Sequence, residues 1–262
     1  MHTKQELMQQ IRDMGIQPTD TVLIHTSMRA IGPVENGADG VIDAFIEVLS
    51  DGLFLVPTHT WSVVGKDMPV FDVTRTVPNI GALPRVAAFR PDGIRSLHPT
   101  HSIWGHGKGA EAFLAGEEKA TTPAPVGFAW ERLAHIGTKI LLLGVGLDKN
   151  TFIHAVDEIA DIPDRLDPVG FDATILDAKG GEYHSHYHPH YCTKSDDVSR
   201  QFVNFEKALV DCGAMEFGKL GNATVRIVDA AKCRDVILRI YSRTDEDLCI
   251  RFMEIPEEYW KE

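Results

Sequence analysis

Apolar residues along the chain alternate between helical stripes and short uninterrupted runs. The first stripe, in residues 4–14, places Leu7, Ile11 and Met14 on one face of a predicted helix. Gly15 follows directly, as expected for a glycine that ends a helix in the left-handed conformation. The chain therefore opens with an amphipathic helix.

Two apolar runs flank the next helical stripe and predict buried strands. They are TVLIH at residues 21–25 and LFLVP at residues 53–57, with the stripe at residues 41–50 between them. This order of strand, helix and strand favours a right-handed parallel crossover. KILLLGV, residues 139–145, is the most apolar run, so we predict it near the centre of the sheet and buried on both faces.

The remaining pattern is that of an α/β protein. Residues 58–79 have little periodicity, and a loop of that length in a compact domain is usually functional. No linker rich in Pro, Gly or Ser divides the chain. We predict one domain, residues 1–262, with a three-layer α/β/α architecture and a mixed central sheet that is partly antiparallel in its C-terminal half. Further helices are predicted at residues 80–90, 109–116, 128–137, 196–213 and 230–242, and strands at 172–177, 180–188, 214–220 and 223–229.

The amino-acid composition indicates a soluble globular protein, and the net charge indicates which partners it can bind. The 262 residues are 44% hydrophobic and 24% charged, as in ordinary soluble globular proteins. Lys and Arg number 26 against 38 Asp and Glu, and the net charge of −12 disfavours nucleic acid and anionic membrane surfaces. A cationic partner is favoured instead.

The cysteines and the N-terminus indicate a cytoplasmic protein. The N-terminal segment has no apolar signal core, and no apolar run is long enough to span a bilayer. The cysteines are too few for a disulfide scaffold in a chain of this length and form no C-x-x-C pair; they are Cys192, Cys212, Cys233 and Cys249.

The stretch NTFIHAVDE carries the first candidate chemistry. Asn150 or Thr151 can cap a helix that has His154 near its start, where open α/β sheets place ligands. Asp157 and Glu158 follow at i+3 and i+4, so one of them can hold the imidazole from the same helix face. The helix N-terminus disfavours imidazolium and the carboxylate favours it, a balance that suits a general base. A capped amphipathic helix with a semi-buried histidine explains the pattern equally well.

Two loops offer possible ligand contacts. Residues 25–40 connect a strand to a helix, and their backbone N–H groups together with Arg29 can meet a phosphate, although the loop matches neither glycine motif for phosphate binding. Residues 96–109 can form either a loop that grips a ligand or a plain turn and strand start. The polar side chains of this second loop are His98, His101, Ser102 and His106.

Alternating histidines form a third candidate. His184, His186, His188 and His190 recur at every second position, so an extended chain directs them to one face, as metal ligands require. Pro189 breaks that strand, and strict alternation brings no carboxylate or second cysteine near the imidazoles. A polar pocket wall or a hydrophilic hairpin edge is the favoured interpretation.

In this order, the segments resemble the aminoglycoside 3-N-acetyltransferase family, the acetyl-CoA-dependent antibiotic acetyltransferases that are unrelated in fold to the GNAT type. The resemblance covers nearly the whole chain. It rests on TVLIHTSMRAIG, LFLVPTHTW, VFDVTRTVPNIGALPRVAAFR, RSLHPTHSIWGHGKGAEAF, ILLLGVGLDKNTFIHAVDE and FEKALVDCGAMEFGKLGNATVRIVDA.

The resemblance implies an antibiotic N-acetyltransferase fold and direct acetyl transfer, in a ternary complex, to the 3-amino group of 2-deoxystreptamine in an aminoglycoside. The family segment T-x-x-H-x-x-E matches Thr151, His154 and Asp157, which makes His154 the base that takes the proton of the attacking amine. Asp stands here in place of Glu, and Glu158 follows it, so either carboxylate is a candidate to orient His154.

The resemblance also implies the two ligand sites, with acetyl-CoA as co-substrate and no metal. Loop 58–79 and the hairpin that carries the alternating histidines, His184 to His190 (the histidine hairpin), would form the walls of the acceptor-binding site. The expected acceptor contacts are Thr58, His59, His186 and His188. The expected coenzyme A contacts are Ser27, Met28, Arg29, Ala30, Ile31, His101, Ser102 and Ile103.

Other functions stay open on the sequence. One is the same chemistry on a different amine. A second is a metal-dependent hydrolase centred on His184, His186, His188 and a carboxylate. A third is a non-catalytic coenzyme A-binding module in which Asp157 marks lost chemistry. The sequence is compatible with a monomer or with a homodimer built on the C-terminal helix.

Overall fold

A seven-stranded mixed sheet forms the centre of the protein. The computed structural model describes residues 1–261. Its seven strands and the three strands of a separate small sheet are, in chain order, β1 (Thr21–Thr26), β2 (Leu53–Pro57), β3 (Val70–Asp72), β4 (Ile94–Arg95), β5 (Ile103–Gly107), β6 (Lys139–Leu143), β7 (Phe171–Leu176), β8 (Glu182–Tyr187), β9 (Met215–Leu220) and β10 (Ala223–Asp229).

The order of strands in the main sheet is β4-β5-β2-β1-β6-β10-β9. β1 lies parallel to both β2 and β6, whereas β5 is antiparallel to β2, and β10 is antiparallel to β6. The mixed sheet, the parallel pairing of the first two strands and the interior position of the most apolar run are confirmed. Antiparallel pairs occur at both edges, and so they are not confined to the C-terminal half.

Helices cover both faces of this sheet. In β1, Val22 and Ile24 pack against helices from residues 4–87, while Leu23 between them packs against helices from residues 129–241. This alternation buries both faces of the strand and confirms the three-layer architecture. The helices are α1 (Lys4–Asp13), α2 (Met28–Ile31), α3 (Gly37–Val48), α4 (Ala82–Ala87), α5 (Ala110–Leu114), α6 (Ala129–Arg132), α7 (Phe152–Ile159), α8 (Glu206–Asp211) and α9 (Ala230–Tyr241).

The first helix has the expected signals at both ends. Thr3 Oγ1 accepts the Glu6 N–H at 3.2 Å, and the Glu6 carboxylate accepts the Thr3 N–H at 2.8 Å. Gly15 follows the helix with φ +76°. This confirms the predicted helix and its glycine stop.

A separate three-stranded sheet corrects part of the sequence prediction. β3 pairs in parallel with β7, and β7 pairs antiparallel with β8. The hairpin at 172–188 is therefore confirmed, but it lies outside the main sheet. The prediction of a loop throughout residues 58–79 is wrong at Val70–Asp72, because a three-residue strand whose partner lies far along the chain leaves no local periodicity.

The predicted helix at 196–213 is also corrected. A 3-10 helix occupies Val198–Phe205, and only Glu206–Asp211 is α-helical. Residues three apart eclipse each other in a 3-10 helix, so Phe202 and Phe205 can both be buried in the core. Among residues 1–261, no helix has both the length and the apolar character needed to cross a membrane.

Candidate active site

A cavity of about 750 Å³ opens at the carboxyl ends of β1, β2 and β6. His25 and Thr26 line it from β1 and Pro57 from β2, and the segment that follows β6 contributes Asn150, Thr151 and His154. Further walls come from the loop after β2 and from residues that follow β8. This edge is where open α/β sheets bind ligands.

His154 lies on α7 with its side chain largely buried, 9% exposed. The imidazole of His190 packs against it with ring centroids 3.9 Å apart, and Phe202 meets it edge-on at 4.8 Å. Burial, followed by the neighbouring His190 and Arg165, holds the pKa of His154 well below its usual range. His154 is therefore neutral near pH 7, the state in which an imidazole can accept a proton.

Asp157 does not sit beside the imidazole. Its carboxylate accepts the Tyr241 hydroxyl at 2.5 Å and the Arg165 Nε–H at 3.3 Å. Burial raises the pKa of Asp157 to about 6, against the opposing effect of Arg165. The expectation that Asp157 contacts His154 directly is corrected, because a guanidinium and a phenol hold both carboxylate oxygens.

Glu158 is likewise engaged elsewhere. One carboxylate oxygen accepts the Thr122 hydroxyl, and the other accepts the Ala124 N–H at 2.8 Å. Burial raises the pKa of Glu158 to about 7. Glu158 thus fastens residues 122–124 to α7 and does not orient the base, which corrects the second candidate.

Other imidazoles surround His154. The ring centroids of His101 and His190 are 5.1 Å apart, those of His59 and His101 are 4.6 Å apart, and those of His98 and His101 are 5.8 Å apart. Burial lowers the pKa of His98 to about 3 and that of His190 to about 4. The cluster is therefore uncharged near pH 7, and its nitrogens can accept or donate hydrogen bonds without carrying charge.

The histidine hairpin divides at Pro189. His184 and His186 are exposed on β8 and pair with Glu182 at 3.3 Å and Asp172 at 2.7 Å. His188 Nδ1 lies 2.7 Å from the Asp167 carbonyl oxygen, and neither His188 nor His186 lines the cavity. His190, which the site prediction omitted, is the histidine of this run that contacts His154. The break in the strand at Pro189 was the sequence signal that could have set His190 apart from the other three.

The positions of these histidines do not favour the metal site that the sequence left open. The exposed histidines each pair with a different acidic residue and do not converge on one point. Within residues 1–261, no group of three or more His, Cys, Asp or Glu side chains is arranged to hold a metal ion.

The predicted acceptor contacts in the loop after β2 differ in position. His59 is buried and lines the cavity. Thr58 points into the interior, where its hydroxyl meets Ser102 Oγ at 2.8 Å and accepts the Arg95 Nε–H at 3.2 Å. Thr58 is therefore a structural residue, and only the direct contact expected for His59 fits the cavity.

The predicted coenzyme A contacts also divide. His101 lines the cavity. Ser27 caps α2 by accepting the Ala30 N–H at 3.3 Å, and Arg29 on the same short helix is exposed, with Met28 and Ala30 half-buried. In contrast, Ile31, Ser102 and Ile103 are fully buried in the interior, so a ligand contact through their side chains is corrected.

The chain matches known proteins over most of its length. Residues 23–242 match the family model described as aminoglycoside 3-N-acetyltransferase. Aminoglycoside N(3)-acetyltransferase III of Serratia marcescens is 31% identical over 182 residues, in an alignment that covers 63% of this chain and 67% of that protein. Aminoglycoside N(3)-acetyltransferase IV of Salmonella sp is 28% identical over 256 residues, covering 97% of this chain and 91% of that protein. The chain spans about two thirds of the length of the class III relatives that it matches.

Solved structures share the architecture. The apoenzyme of aminoglycoside acetyltransferase AAC(3)-IVa superposes with a TM-score of 0.78 at 24% identity, covering 98% of this chain and 93% of that chain. The binary complex of AAC-IIIb with CoASH gives a TM-score of 0.75 at 23% identity, covering 89% and 93%. At this level of identity, the likeness establishes a common fold.

Proposed function

The chain belongs to the aminoglycoside 3-N-acetyltransferase family, and from this premise we propose that it transfers the acetyl group of acetyl-CoA to the 3-amino group of an aminoglycoside. The observation that carries the proposal is the neutral His154 in a large cavity at the carboxyl edge of the sheet. A base of this kind is what an amine needs before it can attack a thioester.

The relatives support both substrates. AAC-IIIb has been solved with CoASH, and complexes with a gentamicin and with sisomicin exist for AAC(3)-IVa and AAC-VIa. These names describe those proteins, and we extend the substrate class to this chain through the shared family. That the acceptor of this chain is an aminoglycoside is therefore part of the proposal.

In the proposed reaction both substrates occupy the cavity together. His154 accepts a proton from the acceptor ammonium or from the attacking amine, and the amine nitrogen then attacks the acetyl carbonyl carbon. The tetrahedral intermediate collapses with cleavage of the carbon–sulfur bond, and the departing thiolate takes up a proton. Holding both reactants in one water-poor site removes most of the entropic barrier to their meeting.

Charges around the cavity fit two oppositely charged substrates. Four carboxylates line it and can pair with the ammonium groups of a polycationic acceptor; they are Asp148, Asp167, Asp196 and Asp197. Lys66, Lys149 and Arg200 line it as well and can meet the phosphates of coenzyme A. The neutral imidazoles in the same cavity add no charge and leave the acceptor amine free to lose its proton.

The decisive experiment follows thiol release from acetyl-CoA with gentamicin, kanamycin and spermidine as acceptors. We expect His154→Ala to lower turnover by about 100-fold or more while the variant still binds acetyl-CoA. His135→Ala, at a half-exposed histidine bonded to Glu131, is the matched control and should match the wild type.

Three other results would each point elsewhere. Turnover that survives His154→Ala would refute the base assignment. Turnover on spermidine alone would keep the chemistry and change the acceptor class. Acetyl-CoA binding without turnover on any amine would instead indicate a non-catalytic coenzyme A-binding protein.

A further inference from the structure

Several buried polar atoms around the cavity have no hydrogen-bond partner. In the part of the chain that the structure describes, these are His25 Nε2, Thr26 Oγ1, His59 Nε2, His190 Nε2 and both polar atoms of the Asn150 side chain. All of these residues line the same cavity. A buried polar group without a partner is destabilising, so these atoms are where a ligand is expected to supply hydrogen bonds.

Asn150 stands out within this group. Its side chain is fully buried, and neither Nδ2 nor Oδ1 has a partner. Among the described residues that line the cavity, it is the single carboxamide. A carboxamide presents one donor and one acceptor edge and keeps both at every working pH, unlike the imidazoles beside it.

Local structure gives Asn150 no other role. Asparagine ahead of a helix usually accepts an N–H of the first turn with its side chain, as the sequence also predicts here. Instead, the Asn150 backbone carbonyl accepts the Ile153 N–H at 3.1 Å, and neither Asn150 nor Thr151 makes a side-chain cap. The ordinary stabilising function of the residue is therefore not used, although its position would allow it.

We propose that Asn150 donates a hydrogen bond from Nδ2 to the acetyl carbonyl oxygen of the thioester and stabilises the oxyanion that forms there. This inference rests on the proposed function. Asn150 is separated from α7 by the N-cap residue Thr151, His154 lies in the first turn of that helix, and both residues line the same cavity. In the proposed arrangement the Asn150 amide meets the acetyl oxygen while the His154 imidazole reaches the amine that attacks the carbonyl carbon.

The step is an acyl transfer in which Asn150 gives up no proton. The amine lone pair forms the carbon–nitrogen bond, and the carbonyl π pair moves to the oxygen, where the Asn150 N–H meets the growing charge. The pair then returns to the carbonyl, the carbon–sulfur bond breaks with its electrons on sulfur, and the proton removed from nitrogen ends on the thiol. A donor aimed at such an oxygen strengthens most in the transition state and so acts on kcat.

Asn204 provides a matched control for Asn150. It is also buried, but it is fully bonded: Nδ2 donates to the Leu248 and Arg251 carbonyls at 2.8 and 2.9 Å, and Oδ1 accepts the Met253 N–H at 3.2 Å. We expect Asn150→Leu to lower kcat by about 100- to 1000-fold with little change in KM for acetyl-CoA and no loss of Tm. Asn204→Leu should lower Tm and leave the kcat of the folded protein unchanged.

Asn150→Asp tests the donor itself, because it keeps the shape of the side chain and removes the N–H group. We expect a loss of kcat that deepens as the pH rises, because a buried carboxyl group can donate a hydrogen bond only while it is protonated. An unchanged kcat in Asn150→Leu, with the wild type active, would overturn the proposal and leave the proposed function standing.

A spectroscopic readout separates this proposal from the acceptor assignment. With acetyl-CoA labelled with ¹³C at the acetyl carbonyl, the infrared carbonyl band should shift to lower frequency on binding to the wild type and stay unshifted in Asn150→Leu. A shift that Asn150→Leu abolishes supports the proposal even if no tested amine is acetylated, whereas an unshifted band in the wild type refutes it. If acetyl-CoA does not bind to the wild type, both proposals fail.

Discussion

Gly144 controls a close approach between the end of β6 and α2. It follows β6 with φ +68°, and a Cβ built there would lie 2.3 Å from Ala30 Cβ and 3.1 Å from Ala223 Cβ. Next to it, the Ser27 N–H donates to the Leu143 carbonyl at 2.9 Å. Only glycine lets α2, which carries several predicted coenzyme A contacts, pack this closely against the end of β6.

Alanine at this position tests the packing. Gly137→Ala is the matched control, since Gly137 has φ +67° with nothing within 4 Å of its added Cβ. We expect Gly137→Ala to cost about 1 kcal/mol of unfolding free energy from backbone strain alone. Gly144→Ala should cost more and also raise KM for acetyl-CoA, because α2 must move.

Urea denaturation measures the loss of unfolding free energy, and initial rates at varied acetyl-CoA concentration measure KM. Equal losses of stability in the two variants, with an unchanged KM, would show that α2 tolerates the added methyl group.

At the same scale, the sequence singled out His154, which lines the cavity, but did not predict its neighbours. Helical spacing correctly put Asp157 and Glu158 on the same helix as His154, yet spacing does not reveal which partner a carboxylate prefers. Arg165 and Thr122, from other parts of the chain, bind these carboxylates. Which of several possible partners a carboxylate binds depends on tertiary contacts, and these do not show in the hydrophobic periodicity of the sequence.

Among the elements, α7 is tied to the C-terminal segment through a buried guanidinium. Arg165, which is 4% exposed, donates to Asp247 from both Nη atoms at 2.6 and 3.0 Å and to Asp157 from Nε at 3.3 Å. Asp157 also accepts the Tyr241 hydroxyl of α9. The helix that carries His154, α9 and the segment after α9 therefore share one polar network.

Breaking this network should strongly destabilise the fold. We expect Arg165→Met to cost about 3–5 kcal/mol of unfolding free energy, because it leaves buried Asp157 without its counter-charge. Arg251→Met, at an arginine that is 68% exposed and pairs with Glu246 at 2.8 Å, is the control and should change stability little. Urea denaturation at pH 7.5 measures both variants.

The pH dependence of kcat/KM gives a second test of the role of Arg165. Because its positive charge helps to depress the pKa of His154, its removal should move the acid limb of kcat/KM to higher pH. An equal stability loss in both variants would show that the buried network has no special role.

Sequence patterns predicted elements well where the elements are locally encoded. The runs at 21–25, 53–57 and 139–145 form strands because continuous apolar residues suit strands buried on both faces. Val70–Asp72 and Val198–Phe205 were misassigned because their conformation depends on distant partners or on a tighter helical repeat than the pattern assumed. The separation of the hairpin into its own sheet likewise had no local signal.

For the whole molecule, buried titratable groups set the response to acid. Six histidines have pKa values below their ordinary 6.5 because of burial: His25, His59, His98, His101, His154 and His190. Burial raises the pKa of three carboxyl groups instead, to about 7 for Glu117 and Glu158 and about 6 for Asp157. The two sets act in opposite directions as the pH falls.

Each histidine contributes stability that is present above pH 6.5 and is lost as the pH falls toward its folded pKa. Each carboxyl group contributes in the reverse sense, because its folded form holds a proton that its unfolded form has released. Between about pH 6.5 and 5 the six histidines outweigh the three carboxyl groups, so unfolding takes up roughly three protons.

We therefore expect Tm to fall as the pH drops from about 6.5 to 5, with a loss of unfolding free energy that approaches about 4 kcal/mol per pH unit at the acid end of this range. Differential scanning calorimetry across this range measures the slope. His25→Phe should make the slope shallower by one proton. A Tm that stays constant or rises on acidification would contradict the uncharged state of the imidazole cluster.

The order of strands also bears on how the chain is made. β1 occupies the middle of the sheet, where Val22 pairs with Lys139 and Thr26 with Leu143. A ribosome must therefore release more than half of the polypeptide before one edge of β1 finds its partner. During synthesis the N-terminal helices can gather around β1 and β2, while the other edge of β1 stays open to chaperones or to neighbouring nascent chains. Because parallel pairing across such a distance is slow to form, closure of the sheet by β6 is the step that we expect to pace folding.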